Sequence, residues 1–126
     1  MTGDDDLITL ADRLLRGEVQ VAQGSSARTT VFLLRLALER ELDAYWDRIG
    51  LPVLSRNPMR AQLLCLTEYA DLATATSARS LWGQLSQACH YHSYELSPAS
   101  HELRRWHTEL NHLVARLRRR QGPDRG

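Results

Sequence analysis

The chain has 126 residues and a formal net charge of +1 at pH 7, with 43% hydrophobic and 25% charged residues. This length predicts a single domain, residues 1–126, with a core large enough to fold without a disulfide or a structural metal. A net charge so close to zero argues against a protein that binds nucleic acid through an overall basic surface. All sixteen basic residues are arginine, which, with the abundance of alanine and leucine, suggests a GC-rich bacterial genome.

The sequence carries no sign of a targeting or membrane segment. Asp4, Asp5 and Asp6 stand where a signal peptide needs positive charge. No apolar run approaches the roughly 20 residues of a membrane span. The two cysteines, Cys65 and Cys89, lie within helical patterns, and we favour free thiols over a disulfide. We therefore expect a cytoplasmic protein without a membrane partner.

Apolar residues recur along the chain at spacings of three and four, and runs of alternating β-branched residues are absent. This pattern predicts an all-α protein, folded as a five-helix up-and-down bundle. Breaks are predicted at Gly24, at Gly50, and at Asn57–Pro58 and Ser97–Pro98, which pair a capping residue with a proline. The predicted helices span approximately residues 4–21, 28–49, 58–72, 77–91 and 98–120, with connections at 73–76 and 92–96 and frayed ends at 1–3 and 121–126.

The second predicted helix, Arg28 to Ile49, is apolar around most of its circumference in its first half. A helix that is apolar on every side has to be covered on every side. We therefore expect the surface between Val31 and Leu38 to lie at the centre of the bundle or to be shared with a second copy, which favours a homodimer. The apolar stripe of this helix consists of Val31, Leu34, Leu38, Leu42, Tyr45 and Ile49, and Phe32, Leu33, Leu36 and Ala37 widen it.

The richest polar cluster is the segment CHYHSYE, residues 89–95, at the end of the fourth predicted helix. His90 and His92 are two residues apart, so on a helix they point in different directions. One interpretation makes His92 a hydrogen-bonded core or interface residue and His90 an edge residue. The other makes them part of a site that also includes Arg79, Tyr94 and Glu95.

A zinc site would need three or four converging ligands. His90, His92, Glu95 and His101 supply them only if the connection after the fourth helix folds back, so we expect no metal and no cofactor.

Two charged residues of the second helix, Arg35 and Glu39, are one turn apart and flank its apolar stripe. A local ion pair at the rim of the core is one interpretation. Alternatively, both side chains point into a cleft with a histidine of the fourth helix, where Glu39 orients an imidazole or Arg35 holds a phosphate.

The remaining charges are expected at the surface. Arg40, Glu41, Asp43 and Asp47 are interpreted as the solvated side of the second helix. Glu102 and Glu109 are interleaved with the arginines of the last helix, which are Arg104, Arg105, Arg116 and Arg118 to Arg120. We favour a role in solubility and in compensating the helix dipole over an RNA-binding face.

The segments RTTVFLLRLALERELDAYW and LWGQLSQACHYH resemble the HEPN superfamily. HEPN domains are small all-α bundles, usually dimeric, and many are metal-independent ribonucleases or RNA binders in bacterial defence and toxin–antitoxin systems. Their signature is an arginine, four to six further residues, and a histidine, brought together with the second copy's pair at the dimer interface. The resemblance implies a HEPN-like bundle in which His92 is the candidate base.

This sequence departs from the HEPN signature at its arginine. Gln87 takes that position relative to His92, and no residue at the required distance before His90 is basic. Arg79 lies roughly 16 Å from His90 along a helix axis. A glutamine donates a hydrogen bond but carries no charge to stabilise a developing phosphorane.

Three functions therefore remain open. The first is a homodimeric HEPN-like domain that binds RNA or a protein, with catalysis absent or weak. The second is a ribonuclease that uses His90 and His92 with an arginine from the second helix or the partner chain. The third is a protein-interaction bundle unrelated to HEPN domains.

Overall fold

A computed structural model of the protein describes residues 3–19, 26–90 and 98–119. The described parts form five α-helices and one short 3-10 helix and contain no strand, which confirms the prediction of an all-α bundle. Tyr91 to Ser97, with the candidate site residues His92, Tyr94 and Glu95, lie outside the described residues. The elements are α1 (Gly3–Leu15), α2 (Ser26–Arg48), the 3-10 helix (Pro52–Arg56), α3 (Met59–Tyr69), α4 (Leu72–Cys89) and α5 (Ser100–Arg119).

The helices α1, α2, α4 and α5 alternate in direction, as in an up-and-down bundle. Contacts between α1 and α5 run in opposite order along the two helices, and so do those between α2 and α4. Gln84 of α4 meets Trp106 of α5, and Ser77 and Arg116 line the same groove farther along, so these two helices are also antiparallel. The contacts between α1 and α5 are Ile8–His107 and Asp12–Arg104. Those between α2 and α4 are Arg35–Cys89 and Glu39–Trp82.

Glycines in the left-handed region end both α1 and α2. Gly50 has φ +84°, and its N–H donates to the Asp47 carbonyl while the Leu51 N–H donates to the Trp46 carbonyl at 2.8 Å. This pair of bonds is a Schellman motif, so the predicted stop at Gly50 is confirmed. Gly17, with φ +76°, ends α1 in the same way. The expected continuation of α1 to residue 21 is therefore wrong, and Gly24 lies outside the described residues.

The start of α4 is earlier than expected. Asp71 has an extended backbone and precedes the helix, which begins at Leu72. Residues 73–76, predicted as a connection, are helical, and Thr74 and Ala75 are buried. Their side chains are small enough to let α4 pack closely, and this tertiary burial outweighs the weak helix propensity of threonine.

The first half of α2 is covered mainly by its own chain. Of the seven apolar positions between Val31 and Leu38, five are buried within the bundle, so the first alternative, a place at its centre, is confirmed for them and a second copy is not needed to cover them. Leu36 is partly buried, and Phe32 remains 56% exposed. The buried positions are Val31, Leu33, Leu34, Ala37 and Leu38.

Glu41 was expected on the solvated side of α2, but its side chain is 0% exposed. Arg118, near the end of α5, donates to both carboxylate oxygens at 3.0 and 3.1 Å. Arg48 approaches the same carboxylate at 3.5 Å. A buried carboxylate needs a partner of opposite charge, and Arg118 is that partner for Glu41. The ion pair therefore joins α2 to α5 across the core.

Candidate functional site

Arg35, Glu39 and Trp82 form a polar cluster where α2 packs on α4. Arg35 Nε and the indole N–H of Trp82 both donate to Glu39 Oε2, each at 3.1 Å. The guanidinium carbon of Arg35 lies 5.6 Å from the centre of the Trp82 ring, within cation–π distance. The carboxylate and the ring therefore hold the guanidinium in one place.

Cys89 extends this cluster to the end of α4. Partial burial would lower the pKa of Arg35, but hydrogen bonds and charge interactions with Glu39 and Cys89 outweigh it and raise that pKa. Arg35 is thus a fixed cation beside the last residue of α4. The next residue, His90, caps the helix and is exposed. Arg35 therefore reaches Cys89 near the end of α4, whereas Glu39 contacts Trp82, about two helical turns before His90.

The other described candidates lie along the outer side of α4. Arg79, Gln87 and His90 are all exposed, with the exposed Gly83 between them. We call these four residues the α4 face. Open space surrounds the position where Gly83 would carry a side chain. Arg79 is the single charged residue of Leu72–Cys89, so the α4 face carries almost no charge of its own.

Sequence reasoning missed two members of this cluster. Trp82 was not among the predicted candidates, and Cys89 was interpreted as a free thiol within a helical pattern. Trp82 is only partly buried and its indole N–H requires an acceptor, which Glu39 supplies. The signal in the sequence is the spacing of seven residues between Trp82 and Cys89, which puts both on one side of α4. In the structure that side faces Arg35.

A cavity of about 360 Å³ opens beside the cluster, between α2, α4 and the start of α3. The charged side chains that line this cavity are two carboxylates, Glu39 and Asp43, and one guanidinium, Arg35, so their net charge is negative. An anion is therefore expected to reach Arg35 from the α4 face rather than through this cavity.

Burial and the nearby charge of Glu39 raise the pKa of Asp43 above its ordinary value. The folded protein therefore binds the carboxyl proton of Asp43 more tightly than the unfolded chain does. Stability is lost as pH rises from the pKa of Asp43 in the unfolded chain through its pKa in the folded protein. We expect Asp43→Asn to raise the free energy of unfolding at pH 7 by about 0.2–0.5 kcal/mol, as for like charges one helical turn apart.

Urea unfolding at pH 7 and at pH 3 measures this effect, which should disappear at the lower pH. Asp47→Asn removes an exposed carboxylate from the same helix and serves as the control. An equal gain from both substitutions would contradict the explanation.

Comparisons of the chain with models of protein families, with curated proteins and with solved structures found no significant match. No helix in the described part of the chain is long and apolar enough to cross a membrane. Within residues 3–19, 26–90 and 98–119, no group of three histidine, cysteine or acidic side chains is placed to hold a metal ion. Cys65 and Cys89 are both free thiols.

Proposed function

We propose that the protein is a HEPN-like RNA-binding domain of a bacterial cytoplasmic defence or toxin–antitoxin system, with catalysis absent or weak. The observation that carries this proposal is the position of Arg35, which Glu39 and the Trp82 ring hold against α4, about two helical turns before His90. The resemblance to HEPN domains points to the His90 end of the same helix.

RNA is proposed to lie along the α4 face. Phosphate contacts supply most of the affinity for a nucleic acid, and here Arg35 and Arg79 supply them. Because the α4 face bears no acidic residue, nothing on it repels the backbone. Arginine suits this role since its planar guanidinium can donate two hydrogen bonds to one phosphate.

Weak catalysis follows from the charges at this end of α4. Gln87 is neutral, and the charge of Arg35 is partly compensated by Glu39. A developing phosphorane would therefore receive less stabilisation than a free arginine provides. The alternative is an active ribonuclease in which Arg35 substitutes for the missing arginine of the motif, and the packing of Arg35 against Trp82 of α4 is the observation in its favour.

Homodimer formation is a separate part of the proposal. It is supported by the exposed Phe32 next to the partly buried Leu36 on α2. Sedimentation velocity of the wild type and of Phe32→Ser tests it. A dimer that the substitution weakens supports this surface, whereas a monomer at tens of micromolar removes the homodimer from the proposal.

Arg35→Gln is expected to weaken the binding of a fluorescent single-stranded RNA by about tenfold, or 1.4 kcal/mol, since it removes a fixed phosphate contact. The slope of the logarithm of affinity against the logarithm of salt concentration should fall by about 1. Fluorescence anisotropy measures both quantities.

Arg40→Gln removes the same charge from an exposed position of α2 and is the matched control. Equal losses in both variants would show a general charge effect and contradict the proposed site. RNA cleavage in the same samples, beside His90→Ala and His92→Ala, separates the two functions. Cleavage that either histidine substitution abolishes would replace the binding domain with the ribonuclease.

A further inference from the structure

A second polar groove, with a volume of about 500 Å³, lies between α4 and α5. Its α4 wall carries uncharged hydroxyl and amide side chains, including Ser77, Ser80 and Gln84. Its α5 wall carries His112 and Arg116. Neither the proposed RNA contacts of Arg35 nor the HEPN resemblance uses this groove.

A chain of hydrogen bonds fixes what the α4 wall offers to a ligand. The indole of Trp106 can only donate, and it donates to Gln84 Oε1 at 2.9 Å. The amide orientation of Gln84 is thereby set, and its Nε2 donates to Ser80 Oγ at 3.0 Å. Ser80 therefore acts as an acceptor on the protein side, and its own O–H proton stays available as a donor. The wall selects a ligand that accepts hydrogen bonds.

The charge of the α5 wall selects an anion. Arg105 and Glu109 both line the groove, and they pair with each other at 3.2 Å, which largely cancels their charges. Arg116 has no carboxylate within ion-pair distance in the described part of the chain, so it leaves the groove with a net positive charge. His112 adds a hydrogen-bond donor or acceptor beside Arg116.

We propose that the groove between α4 and α5 binds a phosphate monoester. Such a dianion presents three acceptor oxygens in a tetrahedral arrangement, which suits donors arriving from two walls. Arg116 binds two of these oxygens, and the Ser80 hydroxyl donates to the third. The volume of the groove also leaves room for a nucleoside attached to the phosphate.

A phosphate monoester occurs both in a free nucleotide and at the end of an RNA strand. Both are tested on the full chain, labelled with ¹⁵N, by following amide signals during titration. The probes are inorganic phosphate, adenosine 5′-monophosphate, and adenosine as the control without phosphate. We expect saturable shifts at Ser77, Ser80 and His112 with both phosphate probes and none with adenosine.

Arg116→Gln is expected to weaken binding of adenosine 5′-monophosphate by about tenfold, and Ser80→Ala by about threefold, since each removes a donor to the phosphate. Arg119→Gln, an exposed residue of the same helix, is the matched control and should leave the affinity unchanged. Melting temperatures of all variants establish that they are folded. Equal losses in the two arginine variants, or equal binding of adenosine, would overturn the proposal.

The source of the phosphate is identified with one RNA sequence carrying either a 5′-phosphate or a 5′-hydroxyl. A gain in affinity from the 5′-phosphate that disappears in Arg116→Gln supports an RNA end as the ligand. Binding of the mononucleotide without such a gain supports a free nucleotide. Arg35→Gln should leave mononucleotide binding unchanged, so the groove and the proposed RNA surface fail or succeed separately.

Discussion

Arg118→Met is expected to lower the free energy of unfolding by about 3 kcal/mol, because it leaves a buried carboxylate without its main partner. Glu41 is fully buried, and both of its oxygens accept hydrogen bonds from Arg118. Arg48 remains nearby at 3.5 Å, which keeps the loss at the lower end for a broken buried ion pair. Urea unfolding at pH 7 measures the change.

Two further variants show whether the ion pair itself is responsible. Arg119→Met removes a neighbouring exposed arginine and should change stability by less than about 0.5 kcal/mol. The double variant Glu41→Leu/Arg118→Met replaces both charges with apolar groups and should recover part of the loss, since Arg48, whose side chain is 25% exposed, loses its contact with Glu41 in the same variant. The explanation is wrong if Arg118→Met and Arg119→Met behave alike, or if the double variant is no more stable than Arg118→Met.

The second large effect is expected at Gln62, which joins α2, α3 and the 3-10 helix. Its side-chain oxygen accepts the indole N–H of Trp46 at 2.9 Å, and its amide donates to the Asn57 carbonyl at 2.7 Å. Gln62→Met leaves a fully buried indole N–H unpaired. We expect a loss of about 2–3 kcal/mol in the free energy of unfolding.

Gln84→Met is the matched control, since Gln84 accepts the Trp106 indole in the same way but is only partly buried, whereas Gln62 is 3% exposed. Water can replace the lost acceptor there, so the loss should be smaller, about 1 kcal/mol. Equal losses at Gln62 and Gln84 in urea unfolding would show that burial of the glutamine does not set the cost.

Hydrophobic spacing was sufficient to predict five helices and the stop at Gly50, because both depend on local sequence. It did not predict which of two glycines ends α1, since Gly17 and Gly24 are equally capable of positive φ. The early start of α4 was missed because burial of Thr74 and Ala75 is a tertiary effect.

The errors at polar residues have a common cause. Glu41 finds Arg118 77 positions away, and Trp82 finds Glu39 43 positions away. Periodicity assigns each residue to a face of its own helix, but it does not show which side chain of another helix will meet it. The spacing of Arg35 and Glu39 on one side of α2 was therefore predictable, whereas Trp82 and Cys89 as their partners on α4 were not.

Binding of RNA to the α4 face is measured most directly by titrating the ¹⁵N-labelled protein with single-stranded RNA. The Trp82 indole signal and the amides of Gly83, Gln87 and His90 are expected to shift in a saturable way. The indole of Trp46, which is bonded to Gln62 inside the core, should stay in place. The proposed function is contradicted if the Trp82 and α4-face signals stay unchanged while signals elsewhere in the protein shift to saturation. It is also contradicted if RNA shifts no signal at all.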